Sequence, residues 1–93
     1  METRYQVLLT LYSIVKNDPQ PTSYNCRPRE IILRQWQDWS VIVQHVILLQ
    51  EEGLVLTEQR DTLLIKITAE GIQKALLLNE EKDISSMHSN EGI

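Results

Sequence analysis

Residues 45–72 read HVILLQEEGLVLTEQRDTLLIKITAEGI, and this stretch decides the fold. Val46 and Leu49 continue the three- and four-residue spacing set by Trp39 and Ile42, which is the period of a helix with one apolar face. Gly53 stands where that helix must stop, because glycine tolerates the left-handed conformation that ends many helices. Leu54–Thr57 and Thr62–Ile67 are rich in strand formers and flank the polar run Glu58-Gln59-Arg60-Asp61, so they predict a hairpin. Leu63, Ile65 and Ile67 alternate with Leu64 and Lys66, giving the second strand one strongly apolar face. Thr68 then caps a further helix over 69–81 that buries Ile72, Ala75 and Leu76.

Working upstream, the helix before the hairpin is expected over 39–52, capped by Asp38 or Ser40, with Val43 flanking its inward line. The turn Trp36-Gln37-Asp38 separates it from a short helix over 28–35, whose first turn suits Pro28 and whose Ile31 and Ile32 face inward. Asn17 to Arg27 contains Pro19 and Pro21 and reads as a loop. The first helix, 3–16, opens on the capping box Thr3-x-x-Gln6 and carries Tyr5, Leu8, Leu9, Tyr12 and Val15 on one face. A second ridge, Val7, Leu11 and Ile14, is more apolar width than one packed face needs. Either it completes a small core or it meets a second copy, as does the run Leu76-Leu77-Leu78. Asp83 to Ile93 has no apolar period and is expected to be a disordered tail behind a domain spanning 1–82. Three helices, a hairpin and a helix define an α+β winged helix-turn-helix.

Two stretches carry a family resemblance. His45 to Val55 is similar to the turn from third helix into wing in small bacterial and phage winged-helix proteins. Ile67-Thr68-Ala69-Glu70-Gly71-Ile72 resembles the Leu-Thr-x-x-Gly start of the helix after the wing. Together they resemble an uncharacterised family of bacteria and their prophages over roughly Val41 to Leu76. The resemblance implies a bacterial-type cytoplasmic protein, a regulator or mobile-element cargo, and assigns no activity.

Composition narrows the function further. At 42% hydrophobic and 24% charged, the chain is an ordinary globular one. No apolar run approaches the ~18 residues of a membrane span, and Met1-Glu2-Thr3-Arg4 does not read as a signal peptide. One cysteine, Cys26, fits a reducing compartment, so the expected location is cytoplasmic. Cys26, His45 and His88 have no metal-ligand spacing, and the three glycines make no phosphate loop. Arg27 and Arg29 beside Cys26 favour a lowered thiol pKa, against the plainer reading of an ordinary loop cysteine. His45 is expected to be structural, bonded to a neighbouring segment. The adjacent pairs Glu51-Glu52 and Glu80-Glu81 point different ways on a helix and form no acid–base dyad. No catalytic site, metal, cofactor, membrane contact or small-molecule substrate is expected.

Two partner classes remain. For double-stranded DNA, Arg27, Arg29 and Arg34 around the second helix, joined by Lys16, and Arg60 at the wing tip are the phosphate candidates. Ser40 and Gln44 stand nearest the bases. The plainer reading pairs those arginines with Glu30 and Asp61 as solubilising charges. Against DNA, the net charge is −4, and 35–59 holds no Lys or Arg. The outward line of the third helix is Ser40, Val41, Gln44, Ile47, Leu48 and Glu51. For a protein partner or homodimer, the candidates are Val41, Ile47 and Leu48, or the ridge Val7, Leu11 and Ile14.

Overall fold

In the computed structural model, the backbone is described for residues 3–35 and 37–91 and the side chains for 3–35 and 37–80. The elements are α1 (Thr3–Val15), a 3-10 turn (Pro21–Ser23), α2 (Pro28–Ile32), α3 (Trp39–Glu51), β1 (Val55–Gln59), β2 (Leu63–Ile67) and α4 (Ala69–Glu91). Trp36 in the expected turn, Met1 and Glu2 at the start, and the side chains of Glu81 and His88 lie outside the described residues.

α1 runs through the middle of the core. Val7, Leu8, Leu11 and Val15 are fully buried, and Tyr5, Leu9, Tyr12 and Ile14 pack against the same cluster. The helix meets α3, α4, α2 and β2, so several of its sides are covered at once. That corrects the interface expected at Val7 and Leu11. The second ridge is spent inside this chain, and Ile14 leans on the same core. A helix enclosed by four neighbours needs the width that one resting on a single face does not.

α2 is shorter than expected. Past Ile32, Arg34 N–H donates to the Ile31 carbonyl (3.0 Å) and Gln35 N–H to that of Ile32 (3.3 Å), three residues back rather than four. Ile31 is buried but Ile32 faces out, a correction that follows from geometry. Neighbouring helical residues sit ~100° apart, so a five-residue helix turns only one of them inward.

α3 buries Ile42, Val46 and Leu49, with Trp39 packed beside them, as its spacing requires. It ends in a Schellman motif. Leu54 N–H donates to the Leu49 carbonyl and Gly53 N–H to that of Gln50, both at 2.9 Å, with Gly53 at φ 77°. The chain then enters an antiparallel hairpin in the register Val55↔Ile67, Thr57↔Ile65, Gln59↔Leu63. Ile65 and Ile67 are buried, with Leu63 packed against the core.

α4 is anchored on the start of the wing. Thr68 Oγ1 accepts from Gly71 N–H (2.9 Å) and caps the helix. The same hydroxyl donates to the Gly53 carbonyl (2.8 Å), and Thr68 N–H donates to the Leu54 carbonyl (3.0 Å). A Cβ on Gly71 would lie 2.1 Å from the Leu54 oxygen and 2.8 Å from Ile67 Cγ1. Further along, Ala75 and Leu78 are buried while Leu76 is exposed, which corrects its expected burial. Leu78 lies three residues beyond Ala75 on the same face, and Leu76 lies about 100° away from it. The helix end expected near Glu81 is also corrected. No Pro or Gly occurs between Gly71 and Gly92, and the stretch expected as a tail from Asp83 is helical backbone as far as Glu91.

The two wing-flanking glycines respond differently to alanine. Gly71→Ala meets fixed backbone and is expected to destabilise by about 3 kcal/mol. Gly53→Ala has open space around its Cβ and carries only the left-handed conformational penalty, about 1 kcal/mol. Urea denaturation of both variants measures the difference, and equal losses would contradict the close approach at Leu54.

Candidate nucleic-acid interface

The site begins at a short backbone bridge. Cys26 N–H donates to the Ile65 carbonyl (2.8 Å) and Ile65 N–H to that of Cys26 (3.0 Å). Ile65 therefore faces β1 on one side and Cys26 on the other, and the residue before α2 becomes part of the wing sheet. The bridge carries Arg27 and α2 to the second wing strand. The Arg27 N–H is held by Glu30 Oε1 (3.2 Å), whose other oxygen accepts the Tyr24 hydroxyl (2.6 Å).

Between α2 and the wing lies an open groove of about 620 Å³, lined by Arg27, Pro28, Arg29, Ile32, Leu33 and Thr62. A smaller recess of about 240 Å³ adjoins it, sharing Arg27 and Thr62 and adding Arg60, Asp61 and Leu64. Three of the four candidate phosphate residues, Arg27, Arg29 and Arg60, are thus brought together. Arg34 stands apart and donates Nη1 to the Glu30 carbonyl (3.0 Å). Ion pairs with Glu30 and Asp61 were the plainer expectation for these arginines, and the structure corrects it. Arg60 pairs with Glu58 (2.8 Å), and among the described residues no carboxylate forms an ion pair with Arg27, Arg29 or Arg34. Lys16 is exposed just past α1 and does not line the groove.

On α3 the outward residues are those expected: Ser40, Val41, Gln44, Ile47, Leu48 and Glu51 are all exposed. Val41 is 38%, Ile47 50% and Leu48 42% accessible. Ser40 and Gln44 alternate with this apolar stripe. At the far end, Glu52 accepts hydrogen bonds from Tyr5 Oη and Arg4 Nε, each 2.8 Å, and the Arg4 and Lys74 cations lie 4.6 and 4.8 Å from the centre of the Tyr5 ring. Desolvation, the largest single influence, would raise the Glu52 carboxyl pKa, but the two hydrogen bonds and the Arg4 and Lys74 charges together hold it below its ordinary value. Glu52 thus ties α3 to α1 and is committed to the fold.

Cys26 is fully buried, so neither the lowered pKa nor the ordinary loop cysteine describes it. Burial, with Glu30 adding to it, pushes the thiol up to about 12 against a weaker opposing pull from Arg34. His45 is half-buried, and its Nδ1 has no hydrogen-bond partner, which corrects the expected bond to a neighbouring segment. Among the described residues no three His, Cys, Asp or Glu side chains are gathered as metal ligands, and no helix is long and apolar enough to cross a membrane.

Sequence reasoning missed Ile32, Leu33, Thr62 and Leu64 as groove lining. Their pattern places Ile32 in the core and Leu33 within a longer helix. The one local signal is Pro28, which pushes Arg27 before it into extended backbone (φ −103°, ψ 155°).

No protein-family model and no curated protein matches this sequence. Among solved structures, the chain is similar to AF1382 from Archaeoglobus fulgidus, at 18% identity over 88% of this chain and 86% of that one, TM-score 0.75. It is also similar to a transcriptional regulator of the MarR family from Rhodococcus sp. RHA1, at 26% identity and TM-score 0.74. That likeness covers 100% of this chain but 63% of the regulator, so the chain spans under two thirds of its length. The fold is a winged helix-turn-helix. The resemblance of 45–55 and 67–72 to an uncharacterised bacterial and phage family rests on those residues alone. Structurally, the two stretches are the partners that meet at Leu54 and Gly71.

Two outcomes follow from these burials. Leu11→Glu places a charge in the core and is expected to unfold the chain, a loss above ~4 kcal/mol, whereas Leu48→Glu changes stability by less than ~1 kcal/mol. Circular dichroism melts separate them. The Cys26 thiol is expected to resist a disulfide reagent in the native state and react once urea unfolds the chain. Its proton leaves near 9.0 when unfolded and near 12 when folded, so stability falls as pH rises between those values. Rapid native labelling would contradict the burial.

Proposed function

We propose that this chain is a non-catalytic, cytoplasmic DNA-binding module of transcription regulation. The observation that carries the reading is the gathering of Arg27, Arg29 and Arg60 along a groove beside the helix-turn-helix and the recess adjoining it, with Arg27 and Arg29 free of ion pairs among the described residues. In winged-helix docking the first helix of the motif crosses the phosphate backbone and the second enters the major groove. α2 and α3 take those places here. Arg27, Arg29 and Arg34 then meet phosphates from α2, and Arg60 does so from the wing. Ser40 and Gln44, on the exposed face of α3, reach the bases, where Gln44 suits an adenine edge. The likeness to a MarR-family transcriptional regulator from Rhodococcus supports this assignment.

A second reading has its own observation. The stripe Val41, Ile47 and Leu48 is exposed on an α3 that carries no Lys or Arg. Such a stripe suits a protein partner, a second copy of the chain included. In that case α3 does not enter a groove.

Fluorescence anisotropy with random duplex DNA at ~50 and ~200 mM salt decides between them. With three or four phosphates neutralised, affinity is expected to fall roughly 40- to 150-fold over that interval. Arg27→Ala with Arg29→Ala lowers the log–log salt slope by about 2. Absence of binding at the lower salt would overturn the DNA reading and leave the α3 stripe as the functional surface.

A further inference from the structure

The groove between α2 and the wing has a floor that phosphate recognition does not require. Ile32 is 44% and Leu33 77% exposed, and both line the groove together with Arg27, Arg29 and Thr62. Phosphate contacts draw on charge and hydrogen-bond donors and gain nothing from an exposed leucine. The core needs neither residue, since Ile31 supplies the α2 side chain that enters it. The two aliphatic side chains are therefore left facing solvent beside two arginines that form no ion pair among the described residues.

We infer that this groove docks a short acidic segment of another protein, with carboxylates at Arg27 and Arg29 and apolar side chains on Ile32 and Leu33. Charge complementarity selects the sign of the partner. Among the described residues Arg27 and Arg29 form no ion pair, whereas Arg60 is held by Glu58 and shares the smaller recess with Asp61. Arg27 borders that recess and Arg29 does not, so the acidic residues of the segment centre on the Arg29 side of the groove. The openness of the groove selects its size. A small ligand is normally enclosed on most of its surface, and a floor with Leu33 three-quarters exposed does not enclose one, whereas an extended peptide lies along it. The segment shares Arg27 and Arg29 with the proposed DNA contact, so the two occupants exclude each other. The docking itself does not depend on DNA binding.

The test uses the full chain and a fluorescein-labelled peptide of three Glu-Leu-Glu repeats, with a nine-residue polyglutamate as the charge-only control. Anisotropy at ~50 mM salt is expected to show saturable binding to the Glu/Leu peptide, at least about tenfold tighter than to polyglutamate. Leu33→Asp and Arg29→Ala are each expected to weaken it by about tenfold or more. Leu33 is outside the core, so the Asp variant keeps the wild-type melting temperature, and a melt confirms that any loss is local. No saturable binding, equal binding of polyglutamate, or binding unchanged by Leu33→Asp would each overturn the proposal. Because no DNA is present, failure of the DNA reading leaves this result unaffected. If DNA does bind, Leu33→Asp is expected to leave that affinity within about twofold of a single added-charge effect, which separates the apolar floor from the arginines.

Discussion

The carbonyl oxygen of Leu54 holds this fold together at its tightest point. It accepts the Thr68 N–H at 3.0 Å and lies where a Cβ on Gly71 would be, only 2.1 Å away. One backbone atom therefore joins the end of α3, the start of the wing and the start of α4. Thr68 closes the same junction from the other side, since its hydroxyl caps α4 while donating to the Gly53 carbonyl. The Schellman end of α3 sets the direction in which Leu54 leaves the helix, and the hairpin register then follows from Val55↔Ile67. Two glycines share the junction for different reasons. Gly53 supplies a left-handed turn, and Gly71 supplies the absence of a side chain.

The second tie, between Cys26 and Ile65, converts that frame into a site. The Pro21–Ser23 turn also packs against β2, and the bridge fixes the backbone just ahead of α2 to the same strand. With it, the backbone of Arg27 follows directly from a residue paired to β2, and Arg27 lines both the larger groove and the recess that contains Arg60. The buried thiol belongs to this tie. A small apolar side chain at position 26 lets the extra strand residue lie against the core, and its raised pKa is a consequence of that packing.

Helix period and turn chemistry made most of the fold legible in the sequence. Ile42, Val46 and Leu49 face inward as their spacing demands, Gly53 ends the helix, Thr68 starts the next, and Ser40, Gln44, Ile47 and Leu48 face outward. Local pattern failed where the answer depended on distant neighbours. Whether Val7 and Leu11 are core or interface depends on how many elements surround α1, and no window of α1 contains that information. Ile31 and Ile32 are equivalent as a pattern and are separated only by where a five-residue helix happens to stop. The arginines are visible as residues, but their meeting with Thr62 and Leu64 across some 35 positions of sequence depends on long-range packing of the loop and a bridge at Cys26, which local pattern reads as loop. The Glu52 ties to Tyr5 and Arg4 likewise span most of the folding unit, and nothing in the local sequence marks Glu52 apart from Glu51 beside it.

The negative charge of the whole chain weighs less on this site than it first seems to, because the relevant range is short. At physiological salt, charges on a surface are largely screened beyond ~8 Å, so a phosphate or carboxylate approaching α2 responds to the groove and little else. Within the groove the balance is unequal. Arg60 already has Glu58 at 2.8 Å and Asp61 beside it, so any anion it receives must displace an acid that is already there. Exposed pairs of that kind are worth under ~1 kcal/mol, which makes the exchange feasible but the gain small. Among the described residues Arg27 and Arg29 form no ion pair, although Arg27 borders the recess that holds Asp61. Glu30, the nearest acid in sequence, is turned to the Tyr24 hydroxyl and the Arg27 amide instead. On the proposed reading, an anion meets less local opposition at Arg29 than at the wing arginine.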